Sequence, residues 1–160
     1  MSDAVTVRPA AGSDVAQIHA FIVELAEYEH ARDQVVGTPD LLAEALFGEN
    51  PAAEALIAEV GDEPAGFALF HATFSSWECR AGVWLEDLYV SPAHRRAGVG
   101  GVLLARLASI AIERGCPRLE WNALDWNDPA LGFYAGIGAE RLSEWELHRL
   151  SGEALRRVAG

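Results

Sequence analysis

The pattern of residues predicts an α/β fold of the mixed α+β kind, a mostly antiparallel twisted sheet with helices on both faces. Three observations predict it. Residues 55–60 and 67–74 are apolar runs separated by Gly61-Asp62-Glu63-Pro64-Ala65-Gly66, the mark of an antiparallel hairpin. Later, a strand at 83–90, a helix ending near Arg114 and a strand at 119–124 follow one another, an order that asks for a crossover to a parallel neighbour. Two helical patterns precede the hairpin, so apolar faces are available for both sides of one sheet.

The elements follow in order. Val5-Thr6-Val7-Arg8 alternates as a strand does, and Ser13 or Asp14 is placed to cap a helix. Val15, Ile18, Phe21, Ile22 and Leu25 then recur at helical spacing, with Tyr28 and Glu29 at the helix end. Thr38 reads as the N-cap of a second helix, with Pro39 at its first position and Asn50-Pro51 as its stop. After the hairpin, residues 75–82 form a polar loop carrying Trp77. The helix after the 83–90 strand stops at Gly115, a C-terminal signal. A short helix follows Asp125-Trp126-Asn127-Asp128-Pro129, with Asn127 or Asp128 as cap and Gly136 and Gly138 as close. Residues 142–150 read as one or two strand pieces, and 152–158 as a terminal helix or tail. At 160 residues the expectation is a single domain, 1–160.

Composition narrows the function. The chain has 24 Asp and Glu against 12 Lys and Arg, a net charge of −12, which repels phosphate backbones and argues against nucleic acid as partner. Acidity suits a cationic ligand, or serves solubility alone. No run of about 18 uncharged apolar residues is present, so a membrane-spanning helix is not expected. No basic-then-apolar leader opens the sequence. Cys79 and Cys116 fit no disulfide framework or zinc motif and read as structural, and a reduced, cytoplasmic setting is the default. His19, His30, His71 and His148 lack metal-ligand spacing, while His94 reads as a turn histidine.

The chain is organised around residues 85–101, LEDLYVSPAHRRAGVGG. A strand ends at Ser91-Pro92, then Arg95, Arg96, Ala97, Gly98, Val99, Gly100 and Gly101 lead straight into an apolar helix. Strand, Arg/Gly turn and helix start together form an anion cradle, with converging N–H groups and a favourable dipole. The spacing is neither GxxxxGK[ST] nor GxGxxG, so nucleotide-hydrolase and dinucleotide loops are excluded. A structural helix start remains open for the turn taken alone. Glu86 and Asp87 sit inside the apolar strand, where neighbours point to opposite faces unless the strand is irregular. They are either working carboxylates or exposed charges paired with Arg80 and Arg118. Tyr134, beyond the first turn of its helix, is either a core aromatic or a phenol facing the same cleft.

Arg95-x-x-Gly98-x-Gly100 after a strand, followed by another strand and Asn127-x(6)-Tyr134, resembles the GNAT N-acetyltransferases. Leu25-Ala26-Glu27-Tyr28-Glu29, Leu85-Glu86-Asp87-Leu88-Tyr89-Val90 and Asp125-Trp126-Asn127-Asp128-Pro129-Ala130 look like the spermidine/spermine (diamine) and thialysine acetyltransferases. The resemblance runs from Val5 to Leu150. It implies a sheet splayed around a central cleft for acetyl-CoA, the co-substrate. By resemblance, Arg95 through Gly101 hold the pyrophosphate, and the backbone of Leu88, Tyr89 and Val90 pairs with the pantetheine arm. Asn127 and Ala130 line the thioester, and Tyr134 is the acid. Glu86 and Asp87 meet the amine, while Tyr28, Glu29, Trp77 and Asp125 belong to the acceptor side. Ser75 stands where diamine acetyltransferases often carry an aspartate, and Gly132 where a polar residue is common. Both departures leave room for a smaller amine than spermidine or spermine. Family members are commonly homodimers, and the tail near Trp145 is suited to that contact.

The chemistry agrees with these residue types. An alkylamine with pKa near ~10.4 is protonated at neutral pH, so a base must free its nitrogen before it attacks a thioester. Glu86, directly or through water, is suited to that, a strand N–H to the oxyanion, and Tyr134 to the leaving thiolate. No acyl-enzyme is needed, so neither cysteine is required. Two other readings share the fold: a non-catalytic acyl-CoA sensor, and an acetyltransferase of protein lysines or N-termini. Glu86, Asp87 and Tyr134 together favour an enzyme over the sensor, and the net acidity permits the protein acetyltransferase, although the small loops offer no obvious peptide groove.

Overall fold

The computed structural model of the chain describes residues 4–160. They form two compact units, one reaching to Asn122 and the other Ala123–Gly160.

In the first unit the order is β1 (Val5–Pro9), α1 (Val15–Tyr28), α2 (Pro39–Phe47), β2 (Glu54–Val60), β3 (Glu63–Ser75), β4 (Arg80–Val90), α3 (Val99–Glu113) and β5 (Leu119–Trp121). The five strands lie side by side in sequence order. The first three pairings are antiparallel and β4–β5 is parallel, with α3 as the crossover, as the hairpin and crossover signals require. The polar loop between β3 and β4 is shorter than expected, because both strands run further into residues 75–82 and pair from Gly66↔Val90 to Ser75↔Arg80.

Apolar side chains divide between the two faces. On one, α3 buries Val99, Leu103 and Leu107 against Leu56, Ala68, Phe70, Val83 and Leu85. On the other, Ile18 and Phe21 of α1 and Leu46 of α2 cover Ile57, Phe67 and Tyr89. Thr38 Oγ1 accepts from Leu41 N at 3.3 Å, which fixes the start of α2 with Pro39 in the first turn. Asp14 precedes α1 but makes no side-chain cap. Its carboxylate is taken by Arg8 at 2.7 and 3.0 Å and by Ala11 N at 2.7 Å, which ties β1 to the start of the helical layer. The Arg8 guanidinium holds this carboxyl below its usual range.

One irregularity shapes the sheet. Leu69 pairs with Asp87 but Phe70 pairs with Leu85, so Glu86 is an extra residue in β4 and the strand bulges there. Gly66 pairs with Val90 beyond the bulge, and a Cβ there would stand 2.4 Å from Tyr89 O. A side chain would force β3 and β4 apart.

The second unit holds two helices, α4 (Asp128–Gly136) and α5 (Gly152–Ala159). Asn127 takes the N-cap position of α4, although its side chain makes no capping hydrogen bond. The strand expected over 142–150 is not there: the segment runs as turns and coil. Alternation alone does not make a strand without a ladder partner, and Trp145 and Leu147 are 65% and 73% exposed. Among the described residues, no helix is long and apolar enough to cross a membrane.

Candidate active site

The bulge decides where the carboxylates point. Val83 and Leu85 face the α3 layer, so Trp84 faces the α1 layer. The extra residue then resets the alternation: Leu88 packs toward α3 and Tyr89 toward α1. Asp87, opposite Leu69, falls on the α1 face with Tyr89. Glu86 joins them there, since its Oε2 accepts from Trp84 Nε1 at 3.0 Å. A regular strand would have sent the two carboxylates to opposite sides. Neither pairs with Arg118, which instead meets Glu78 at 3.3 Å and Glu120 at 3.4 Å.

Three carboxylates therefore gather at one end of the sheet. Burial pushes Asp87 up to about 6, helped by the charges of Glu86 and Glu29. Glu29, the C-cap of α1, is also raised by burial. A half-buried carboxylate with acidic neighbours favours either a proton or a cationic ligand. Next to it, Tyr89 Oη donates to Glu24 Oε2 at 2.7 Å, and burial with the Glu24 charge lifts the phenol to about 12. Glu86 is exposed and has His71 Nε2 3.9 Å from its Oε2.

The same end of β4 has an open edge. Among the described residues β5 pairs with β4 at Val83, Trp84 and Leu85, and from Glu86 to Val90 β4 is paired with β3 alone. This is the splay expected for the cleft, and an extended amide-bearing ligand fits it as an added strand.

Past Val90 the chain enters the Arg/Gly turn. Arg96 and Gly98 both have left-handed φ, 71° and 79°. Gly98 is the N-cap of α3, and the first helical bond is Val102 N to Gly98 O at 3.1 Å. The N–H groups of Val99, Gly100 and Gly101 are thus in the first turn, without intrahelical acceptors. A Cβ at Gly101 would meet nothing within 4 Å, so internal packing does not explain that glycine. Residue types and geometry fit a phosphorylated ligand.

Arg95 links this turn to the acidic end. Its Nε donates to Val90 O at 3.3 Å, and its guanidinium lies 5.3 Å from the centroid of the Tyr28 ring. His94, expected as a solvated turn histidine, is instead largely covered: Nδ1 lies 2.8 Å from Ser91 Oγ and Nε2 3.7 Å from Glu63 Oε2. Of the acceptor-side residues in this unit, Tyr28, Glu29, Glu86 and Asp87 come together. Trp77 stands 89% exposed in the β3–β4 loop, with no hydrogen bond or ring contact to these carboxylates. Cys79, expected as a buried structural thiol, is exposed in the same loop, and Cys116 is half-buried.

In the second unit, Asp125 and Asn127 precede α4, and Ala130 and Tyr134 lie on it. The Tyr134 ring is tilted against Phe133, with centroids 5.6 Å apart, and its carbonyl accepts from Ala139 N at 3.0 Å. Sequence reasoning missed Trp84 and His71 as neighbours of Glu86. The cross-strand pair His71↔Trp84 was visible only once the β3–β4 register was known.

A splayed mixed sheet and a glycine-rich turn at a helix start are the features of the acetyltransferase (GNAT) fold. The chain belongs to the acetyltransferase (GNAT) family, whose model matches residues 14–139, and it is an N-acetyltransferase. It is 36% identical to a thialysine N-epsilon-acetyltransferase from Bos taurus, over 98% of both chains. It is 28% identical to an L-ornithine N5-acetyltransferase from Arabidopsis thaliana, over 95% of this chain and 86% of that one. Among solved structures, an integron cassette protein from the mobile metagenome of V. cholerae superposes with a TM-score of 0.81 at 29% identity, covering 99% of this chain and 98% of that one.

Proposed function

We propose that the chain transfers the acetyl group of acetyl-CoA directly to a primary amine of a small cationic acceptor, a diamine, polyamine or lysine-like amino acid such as thialysine. The observation that carries this reading is the bulge at Glu86, which turns Glu86 and Asp87 to one face beside the open edge of β4. Acetyl-CoA supplies the activated acetyl thioester and a thiol leaving group. Arg95, Arg96, Ala97, Gly98, Val99, Gly100 and Gly101 would hold its pyrophosphate, and the backbone of Leu88, Tyr89 and Val90 its amide-bearing arm. Asn127 and Ala130 would line the far side.

Glu86 takes the proton from the ammonium, because at neutral pH only about one alkylamine in 10³ to 10⁴ is free base. Asp87 and Glu29 hold a second cationic centre of the acceptor beside Tyr28, and for Trp77 and Asp125 an acceptor-side role is supported by the family resemblance alone. Tyr134 Oη gives up a proton as the acetyl group leaves its carrier. Support for Tyr134 is its place in the Asn127-x(6)-Tyr134 pattern. Relatives whose names specify thialysine and ornithine support a short acceptor with a second charge, and Ser75, expected in a loop but buried as the last residue of β3, carries no charge for a longer polycation. Both units together would make one acetyltransferase domain, 1–160, since the family match crosses their boundary. We place the protein in the cytoplasm as a homodimer, with Trp145 and Leu147 of the exposed tail meeting a second copy. A CoA-release assay across putrescine, spermidine, lysine, thialysine and a lysine peptide tests the reading. Turnover with a small dicationic amine is expected. Release with the peptide alone would replace this reading with a protein acetyltransferase, and an enzyme eluting as a monomer would remove the dimer.

A further inference from the structure

Glu86 is held by two side chains that the proposed chemistry does not use. Its Oε2 accepts from Trp84 Nε1 at 3.0 Å and lies 3.9 Å from His71 Nε2. His71 is the cross-strand partner of Trp84, so β3 and β4 present the imidazole, the indole and the carboxylate on one face. The other ring nitrogen fixes the tautomer. Nδ1 lies 3.0 Å from Ala72 O, and a carbonyl only accepts, so Nδ1 carries the hydrogen. In the neutral ring the Nε2 lone pair therefore points to the Glu86 side. Glu86 Oε2 is the oxygen that meets the indole and the imidazole, and Oε1 is the one assigned to the ammonium proton.

We infer that His71 receives the proton that Glu86 has taken from the acceptor and passes it to solvent. This rests on the reading of Glu86 as the base. The step balances without any further reactant. The acceptor N–H bond breaks, and its proton goes to a Glu86 oxygen while the electron pair stays on nitrogen. The neutral carboxyl holds the Trp84 N–H less strongly and is free to rotate. It then yields the proton to His71 Nε2, directly after a small approach or through one water, and the imidazolium loses it to water. Both side chains reach solvent, at 38% exposure for His71 and 56% for Glu86. An acceptor seated on Oε1 covers the direct route from Glu86 and leaves the route past His71. The charged group against His71 is Glu86 from β4, and Asp87, whose own surroundings include Glu86 and Glu29, follows it across the bulge. His71 acts through Glu86, as a relay and positioning residue.

The experiment compares His71→Gln, His71→Ala and Glu86→Gln with the parent over pH 5.5–9.5, with acetyl-CoA affinity measured alongside. For His71→Gln we expect kcat to fall about tenfold near neutrality, less than the ~10²-fold or more of losing a direct general base, with acetyl-CoA affinity unchanged. The acidic limb of the pH–rate profile should move. Added imidazole should restore His71→Ala but not Glu86→Gln. Histidine ¹⁵N spectra of the parent should show the Nδ1–H tautomer at position 71 when the ring is neutral. An unmoved profile with no imidazole rescue, or the opposite tautomer, overturns the relay while Glu86 stands. Full turnover in Glu86→Gln instead overturns the base reading itself.

Discussion

Asp87→Asn separates what the acidic cluster does for the fold from what it does for the ligand. In the folded chain the carboxyl is raised from 3.8 to about 6, chiefly by burial and then by Glu86 and Glu29. The folded state therefore binds the proton more tightly than the unfolded state. Stability contributed by this group is complete below pH 4 and is lost as pH rises through 6. At about 1.36 kcal/mol per pH unit, the displacement amounts to about 3 kcal/mol of destabilisation above pH 6. Asparagine has nearly the same shape and no charge. Urea unfolding at pH 8 should thus find Asp87→Asn more stable than the parent by about 2–3 kcal/mol, a rise in melting temperature of roughly 4–12 °C for a chain of this size. At pH 4 the two should coincide. The same variant should raise the apparent KM for the amine, since a cationic ligand loses its counter-charge. A variant equally stable at both pH values, or less stable at pH 8, would refute the burial argument. An unchanged KM would place Asp87 outside the acceptor site.

Three further outcomes are expected. Arg95→Ala should weaken acetyl-CoA binding by about 10-fold or more, the loss of one charge-assisted phosphate contact; calorimetry reads this directly, and an unaltered dissociation constant would count against the cradle. Tyr134→Phe should lower kcat by about 10²-fold with acetyl-CoA affinity intact, as loss of a positioned acid does; stopped-flow turnover beside a binding isotherm checks it, and unchanged kcat removes Tyr134 as the acid. Gly66→Ala puts a methyl 2.4 Å from Tyr89 O, so it should destabilise the chain by about 1–3 kcal/mol in urea melts and weaken acetyl-CoA through the displaced β4 edge.

The sheet and its helices were legible because their signals are local. Gly61-Asp62 announces the hairpin, although the second strand starts at Glu63 rather than at 67 as expected, and Thr38-Pro39 announces α2. The Glu86-Asp87 pair stands out in the sequence because charge inside an apolar run is costly, and the Arg/Gly turn because it joins a strand directly to an apolar helix. Other features depend on pairing, which no single segment encodes. The bulge reads in the sequence as one more strand residue, and only the opposite strand shows that Glu86 has no partner. The link between His71, Trp84 and Glu86 needs the β3–β4 register for the same reason. Residues 142–150 failed as a strand because alternating Trp145, Leu147 and polar neighbours describe a face without saying what would hydrogen-bond its backbone. Cys79 failed because composition makes a free cysteine a core residue, while the tight β3–β4 loop gives it a left-handed φ of 51° at the surface.

The bulge has one more consequence. Because Glu86 is surplus to the ladder, removing it restores strict alternation and leaves Asp87, Leu88, Tyr89 and Val90 on the faces they already occupy. Deleting any one residue between Val83 and Leu85, or between Leu88 and Val90, instead turns part of the strand inside out. The strand is thus one residue longer than its architecture needs, and the spare residue is the one proposed to receive the acceptor's proton. A chain lacking only Glu86 is expected to fold with a straighter β4 and no base, so that at this position a catalyst and an inert scaffold differ by a single codon's length.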